Sequence, residues 1–254
     1  QAESSAASDV YKRQAGATPN LDALAERGAR FDRAYTVTPL TIPAHSSLMT
    51  GLLPPRHGVR DNGDYFLSET ADTLAERLSA GGYRTMASVG AEVTSHHWGF
   101  AQGFSAYFDD LDRGSTDNRW RVERPGREVV DDALGWLADQ DSAAPWFAWV
   151  HLFDAHHPYT PPAEHDRFAS PYLGEIAEVD AQVGRLLAAV EARGGRTWVM
   201  VMADHGEGLG EHGEALHGVL LYDGTTRIPA HHRPARGPRG GGRCPRQPRR
   251  CLPH

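Results

Sequence analysis

The clearest hydrophobic pattern in the chain lies between residues 172 and 193. Its apolar residues recur at steps of three and four, which places them on one face of an α-helix. They are Ile176, Val179, Val183, Leu186, Leu187 and Val190. Two glycines follow at 194 and 195, and glycine is unfavourable inside a helix. The pattern therefore predicts a long amphipathic helix over 172–193.

Two shorter segments are almost continuously apolar. Residues 146–153 read Trp-Phe-Ala-Trp-Val-His-Leu-Phe, and residues 197–203 read Thr-Trp-Val-Met-Val-Met-Ala. Strands covered on both faces have this composition. Residues 83–89 predict a further strand, whereas 21–27 and 73–79 predict helices that end close to a glycine. This alternation of helices and strands is typical of an α/β domain with a largely parallel sheet.

Polar side chains follow directly after the two apolar segments. Asp154 and His156 come after the first, and Asp204 and His205 come after the second. In open parallel sheets, ligands bind beyond the carboxyl ends of the strands. We therefore expect these four side chains to converge at one edge of the sheet.

The composition and charge of the chain limit which classes of protein and which kinds of partner are expected. The chain has 254 residues, 40% of them hydrophobic, which suffices for one sizeable core. Its net charge is −7, and because residues 231–254 hold seven Arg and no acid, the rest carries −14. An acidic body repels nucleic-acid phosphates, so no nucleic-acid partner is expected. No apolar run reaches the roughly 18 residues of a membrane span, and both cysteines, Cys244 and Cys251, lie in the basic tail.

The two ends of the chain differ from its body. Residues 9–14 resemble a translated transposase end used in preparing sequencing libraries, so 1–14 are interpreted as an artefact, with a disordered leader as the alternative. Residues 230–254 are a mixture of Arg, Pro, Gly and His without periodicity. They are interpreted as an out-of-frame tail, with a genuine disordered basic tail as the alternative. We expect one partial catalytic domain over 15–229.

Thr41 stands where nucleophilic chemistry is favoured. Pro43 fits the first turn of a helix without losing a hydrogen bond, so Thr41 is expected to cap a helix that ends before Gly51. The free N–H groups and the dipole of such a helix stabilise negative charge. An alkoxide or an anionic substrate would benefit, and an ordinary helix cap is the alternative interpretation.

The loop after the second apolar segment is rich in His, Glu and Gly. The carboxylate of Asp204 and the imidazole of His205 suit a divalent cation, and glycines let the backbone come close. His212 and His217 do not form the two-histidine helical zinc motif, because their spacing and the position of the Glu differ. The alternative interpretation of this loop is an ordinary solvated loop. For His156, the alternative is a structural role.

Several of these segments occur together in the order of a known family. They are Thr-Pro-Asn-Leu-Asp-Ala-Leu-Ala from residue 18, Leu-Met-Thr-Gly at 48–51, Arg-His-Gly-Val at 56–59, His-Leu-Phe-Asp-x-His at 151–156, and Asp-His-Gly-Glu at 204–207 with a later His-Gly. Over residues 17–229 the chain resembles the sulfatase branch of the alkaline phosphatase superfamily. The resemblance implies an α/β, alkaline-phosphatase-like three-layer sandwich with a largely parallel central sheet, incomplete at both termini.

The resemblance also implies a metal-dependent hydrolase of sulfate or phosphate esters. Asp204 and His205 are expected to bind a divalent ion (Ca, Zn, Mn or Mg). Thr41 is expected to be both a third metal ligand and the nucleophile.

The resemblance places four further residues on the substrate side. Asn62 is expected to contact a non-bridging oxygen, and His45 is also assigned to substrate binding. His156 and His217 line the ester-binding side, where either imidazole can protonate the leaving group. The expected partner is an anionic ester of a small molecule, a glycan or a lipid.

Position 41 departs from the sulfatase pattern. True sulfatases have Cys or Ser there, which is oxidised to formylglycine, and an Arg shortly after it. The segment Thr41-Ile-Pro-Ala-His45 supplies neither, so the formylglycine mechanism is not available. A metal-activated Thr alkoxide attacks phosphorus readily, and phosphate chemistry fits the residues better, with sulfate esters kept open.

Two alternative functions remain open at this point. One is a phosphoethanolamine-type transferase, and the other is an inactive anion-binding pseudoenzyme. The family carries further metal-binding Asp residues on a strand that would precede residue 15, so we expect the polypeptide as written to be inactive and to bind metal weakly. The compartment and any membrane association stay undetermined, with the periplasm and export among the alternatives.

Overall fold

The computed structural model describes residues 16–111, 122–141 and 144–234. Its α-helices are Pro19–Glu26 (α1), Thr41–Thr50 (α2), Pro54–His57 (α3), Leu74–Ala80 (α4), Gly126–Ala138 (α5), Pro171–Arg193 (α6) and Asp223–Thr226 (α7). Its strands are Ala29–Arg30 (β1), Ala34–Tyr35 (β2), Arg84–Val89 (β3), Ala106–Phe108 (β4), Trp146–His151 (β5), Val199–Met202 (β6), Arg227–Ile228 (β7) and Ala230–Arg233 (β8). The expected artefact at 1–14 lies outside the described residues.

A parallel sheet forms one half of the core. Its central strand β3 pairs with β4 on one side and with β5 on the other. The β3–β5 register runs from Arg84 opposite Trp146 to Val89 opposite His151. Five of the six β3 residues are buried, as expected for a strand covered on both faces. The strands predicted near 83–89 and 146–153 are thus confirmed, and the α/β class with them.

The strand after α6 belongs to a different sheet. β6 pairs antiparallel with β8, β8 pairs antiparallel with β1, and β2 with β7 forms a third, two-stranded sheet. The described strands therefore form three short sheets instead of one continuous parallel sheet. β8 places residues 230–233 in a strand, past the expected domain boundary at 229. The backbone of β8 completes the hydrogen-bond ladders of β6 and β1. The Arg- and His-rich composition of β8 does not prevent this pairing.

Helices cover the sheets and enclose two apolar clusters. α5 packs on β3, β5 and α6, while α1 packs on α6 and β8. One cluster surrounds Phe100 and Trp149, and the other joins Leu24 of α1 to Val183 and Leu187 of α6. The long helix predicted over 172–193 is confirmed, with Ser170 capping its first turn. Within the described ranges, none of the helices combines the length and apolar character needed to cross a bilayer.

A buried carboxylate joins α6 to the start of α1. Asp180 is 1% exposed and accepts the backbone N–H groups of Asn20 and Leu21 at 3.1 and 2.8 Å. Because these are free N-terminal amides of α1, we expect Asp180→Ala to lower the free energy of unfolding by about 2 kcal/mol. Urea unfolding at pH 7 measures this. An equal loss in the exposed control Asp72→Ala would contradict the assignment.

Candidate active site

Thr41 is the first residue of α2 and is 4% exposed. The cap position belongs to Leu40, one residue earlier than predicted, so the Thr41 side chain is not used to cap the helix. Its Oγ1 instead lies 3.3 Å from Nε2 of His205. Asn62 Oδ1 accepts the Ile42 backbone N–H at 2.9 Å, so Asn62 takes over the capping of this helix start and lies beside the predicted nucleophile.

His205 and Asp204 follow the end of β6, as the sequence pattern predicts. His205 Nδ1 lies 2.9 Å from the Gly206 carbonyl oxygen, so Nδ1 carries the proton and Nε2 offers its lone pair to the Thr41 hydroxyl. Asp204 Oδ2 lies 3.4 Å from His205 Nε2 and 3.6 Å from His45 Nδ1. The structure thus brings Thr41, Asp204 and His205 together.

The charge of Asp204 is set by two opposing effects. Burial by itself raises the pKa of this carboxyl, but the nearby His205, His45 and His151 side chains and the backbone N–H that Asp204 accepts lower it by more, so the pKa lies well below its usual range. Asp204 is therefore an ionised carboxylate at neutral pH.

Gly206 lets this loop pass close to the backbone before β7. A Cβ atom at residue 206 would lie 2.1 Å from the Gly224 carbonyl oxygen. The predicted close approach of backbone at the glycines of this loop is confirmed at this position.

His217 and His156 line the other side of Thr41 and His205. The His217 ring centroid lies 3.9 Å from that of His205, and its Nδ1 lies 3.1 Å from the Pro39 carbonyl oxygen. His156 lies 5.9 Å from His217. Burial lowers the pKa of His156, and lowers the pKa of His217 to about 4. At neutral pH both are proton acceptors, and an anion must raise the pKa before either can donate.

His45 lies beside the backbone of Thr41, and its predicted contact with the substrate stays a prediction. It is 4% exposed, and its Nδ1 lies 2.9 Å from the Thr41 carbonyl oxygen. Its ring meets the His151 ring edge-on at 4.8 Å. The i to i+4 spacing along α2 turns the His45 side chain toward the Thr41 backbone and Asp204, so its contacts fit a positioning role.

His151, the last residue of β5, was not among the predicted site residues. Its Nδ1 lies 3.1 Å from Thr94 Oγ1, and burial, followed by repulsion from His45, lowers its pKa to about 3. The sequence signal that could have identified it is its position as the first residue of the segment His-Leu-Phe-Asp-x-His. His151 is thus a buried, neutral imidazole, and together with His45 it forms a row of histidines beside Asp204.

Three side chains of this site fit part of the ligand set of a divalent cation. Two ligands bound at about 2.1 Å to a tetrahedral ion lie about 3.4 Å apart. The Asp204–His205 and His205–Thr41 separations of 3.4 and 3.3 Å agree with that spacing. No group of three His, Cys, Asp or Glu side chains in the described ranges is arranged to hold an ion.

A cavity of about 610 Å³ adjoins these residues and separates β5 from β6. All residues of the two strands line it, together with the inner face of α6. The polar residues in its lining include Asp204, His205, His156, Tyr172 and Glu207. The last two were not predicted as site residues.

Comparison with known families shows to which family the chain belongs. The family model described as Sulfatase matches residues 2–233. This chain belongs to the sulfatase family. Its relatives in that family include the uncharacterized sulfatase YidJ of Escherichia coli K12, 27% identical over 87% of this chain and 59% of the relative. An arylsulfatase of Clostridium perfringens is 24% identical over 84% of this chain and 62% of the relative. This sulfatase-family chain thus spans about 60% of the length of these relatives.

Solved structures confirm the expected alkaline-phosphatase-like fold. The phosphonate monoester hydrolase of Agrobacterium radiobacter superposes with a TM-score of 0.70 at 22% identity, over 85% of this chain and 63% of that one. A protein of the alkaline phosphatase superfamily from Vibrio parahaemolyticus gives a TM-score of 0.64 at 21% identity, over 85% and 54%.

Proposed function

We propose that this sulfatase-family protein is a metal-dependent ester hydrolase in which Thr41 is the nucleophile. The observation that carries the proposal is the 3.3 Å separation of Thr41 Oγ1 from His205 Nε2, beside the ionised Asp204. The named activities of the relatives, sulfatase and phosphonate monoester hydrolase, support an anionic ester as substrate. The hydroxyl at position 41 favours phosphate-type esters over sulfate esters.

Each of the site residues has its own proposed role in the reaction. Asp204, His205 and Thr41 would hold the divalent cation. When bound, the cation acidifies a coordinated hydroxyl and offsets the charge of the ester. The Thr41 hydroxyl releases its proton to solvent, Oγ1 attacks phosphorus, and the bond to the ester oxygen breaks. That oxygen takes a proton from His156 or His217, which gains this proton from solvent when the anionic ester binds and raises its pKa. Water then hydrolyses the phosphothreonine and restores Thr41.

Asn62 is proposed to hold a non-bridging oxygen of the ester. Its Oδ1 is already engaged by the Ile42 N–H at 2.9 Å, so only its Nδ2–H donors remain for a ligand. Donors are what an anionic oxygen requires, and the orientation of the amide therefore supports this role.

Turnover of p-nitrophenyl phosphate and p-nitrophenyl sulfate tests the proposed function. We expect hydrolysis of the phosphate to exceed that of the sulfate by at least about tenfold. EDTA should abolish it, and one of Mn²⁺, Zn²⁺, Mg²⁺ or Ca²⁺ should restore it. The assay is run on the 254-residue chain and on any longer product of its gene. Phosphate binding without turnover in every form would instead support a pseudoenzyme.

A further inference from the structure

Residues 157–169 lead from the candidate active site to α6 and are here called the strap. They begin directly after His156 and contain one short 3₁₀ turn, Ala163–His165. A Cβ atom at residue 174 of α6 would lie 2.8 Å from the Pro161 side chain, so a glycine is needed where the strap lies on the helix. All strap residues are exposed or half-buried. The strap is therefore the outer layer over this part of α6.

Two acidic side chains of α6 hold the strap. Glu175 Oε1 accepts the Thr160 backbone N–H at 2.6 Å, and Glu178 Oε2 lies 3.2 Å from His165 Nε2. Each of the two glutamates is only 5% exposed. Because the strap lies on top of them, it must move before water can reach their carboxyl groups.

The strap also contacts the loop that follows β6. The Tyr159 hydroxyl donates to Glu207 Oε2 at 3.1 Å, and the Tyr159 ring lies edge-on to the Tyr172 ring at 5.3 Å. Glu207 belongs to the loop that carries His205. The strap thus connects the loop of the predicted metal ligands to α6, and its position determines whether Tyr159 stays beside the site.

Glu175 is a buried acid in acidic surroundings. Its Oε2 is buried without a hydrogen bond, and so is Oδ2 of Asp154. Within the described ranges, Glu175 and Asp154 take part in no ion pair. The charged groups that act on Glu175 are Asp154, which follows β5, and Glu123, which precedes α5. Ionised Glu175 would therefore be a buried charge without compensation, which is unfavourable.

The ionisation of Glu175 favours the closed strap at low pH. Burial raises the pKa of Glu175 to about 7; the Thr160 N–H opposes this shift, and repulsion from Asp154 and Glu123 adds to it. Once the strap has moved and water reaches the carboxyl group, its pKa returns toward the ordinary 4.5. The closed strap is thus most stable while Glu175 is protonated, and it loses stability as pH rises from about 4.5 to about 7.

The second contact between strap and helix responds to pH in the same sense. Glu178 and His165 form an ion pair only while the imidazole is protonated. The other oxygen of Glu178 accepts Nε2–H of Gln182 at 2.6 Å, so Glu178 stays bound to its own helix when His165 is neutral. On the outside of the strap, Glu164 faces Arg127 of α5 at 3.7 Å. Rising pH therefore weakens the attachment of the strap at both glutamates.

We propose that the strap is a proton-controlled device beside the active site, which is held on α6 while Glu175 is protonated and released when Glu175 is ionised. Release exposes Glu175 to water, withdraws Tyr159 from Glu207 and opens the side of the site next to His156. The opening of the strap can be measured without an ester, so it does not depend on the proposed hydrolase function.

Hydrogen–deuterium exchange of the 254-residue chain between pH 5 and pH 8 tests this proposal. The measured quantity is the protection factor of peptides that contain Thr160, corrected for the intrinsic pH dependence of exchange. Since the pKa of Glu175 is about 7 under the closed strap and 4.5 in water, protection should fall about seventyfold over this range. Glu175→Gln should reduce the fall to less than about tenfold, the part left to His165. Glu164→Gln changes an exposed acid of the strap itself and, as the matched control, should keep the full pH dependence.

Peptides from β3, a strand with five buried residues out of six, separate local opening from global unfolding. At pH 8 the strap should exchange at least about a hundredfold faster than β3, and only β3 should exchange faster when 1 M urea is added. Equal protection of strap and β3 at every pH would overturn the proposal, because the strap would then open only when the whole protein unfolds. An unprotected strap at pH 5, or the same pH dependence in Glu175→Gln and parent, would also overturn it.

Discussion

Thr41→Ala should lower kcat for p-nitrophenyl phosphate by at least about a thousandfold, in whichever form of the protein turns over the ester. The substitution removes Oγ1, which lies 3.3 Å from His205 Nε2, and alanine offers no atom that can attack phosphorus. The free energy of unfolding should change by less than about 1 kcal/mol, because the N-cap is Leu40 and Asn62 satisfies the Ile42 amide. Stopped assays with urea unfolding of the same preparations measure both quantities.

Two further variants make this test specific. Thr41→Ser keeps a hydroxyl and should stay within about tenfold of the parent kcat. Thr50→Ala removes a hydroxyl at the far end of the same helix, where it donates to the Ser46 carbonyl, and should leave kcat unchanged. A Thr41→Ala protein with the parent kcat would reject the nucleophile. Acceleration by an added amino alcohol, with formation of its phosphate ester, would identify a transferase.

Glu175→Gln should stabilise the protein at pH 8 by up to about 3 kcal/mol and have little effect at pH 4. In the folded protein the pKa of Glu175 is raised to about 7 from 4.5. The unfolded chain therefore loses this proton first, and folding becomes less favourable as pH rises from about 4.5 to about 7. Above pH 7 the full cost of burying the charge is present. Glutamine removes that cost and keeps an oxygen for the Thr160 N–H.

Urea unfolding of the parent and of Glu175→Gln between pH 4 and pH 8 measures the effect. Glu128→Gln is the control, because that side chain is 60% exposed and should give a difference near zero at every pH. A stability difference between Glu175→Gln and parent that does not vary with pH would show that Glu175 is not a buried acid with a raised pKa.

Local patterns in the sequence sufficed for the main elements of the fold. The helix predicted over 172–193 is observed at Pro171–Arg193, and the apolar segment from residue 146 contains β5. Periodicity, caps and glycines act within a few residues, so they can be recognised without the tertiary structure. The same holds for Asp204 and His205, because a strand that ends at Met202 must carry them to its carboxyl edge.

Only the tertiary structure decided which side chains share the site and what surrounds them. The partners of β6 depend on strands far away in the chain, and so does the pairing of β8 with β6 and β1. His45 contacts Asp204 across 159 positions, and Tyr159 joins Glu207 across 48. Burial, pairing and the absence of a counter-charge are properties of such long-range contacts, and no local pattern of residues encodes them. The sequence by itself thus determined which residues are candidates for the nucleophile and the metal ligands, while the three-dimensional arrangement decided the burial of His45 and His151 and their contacts around Asp204.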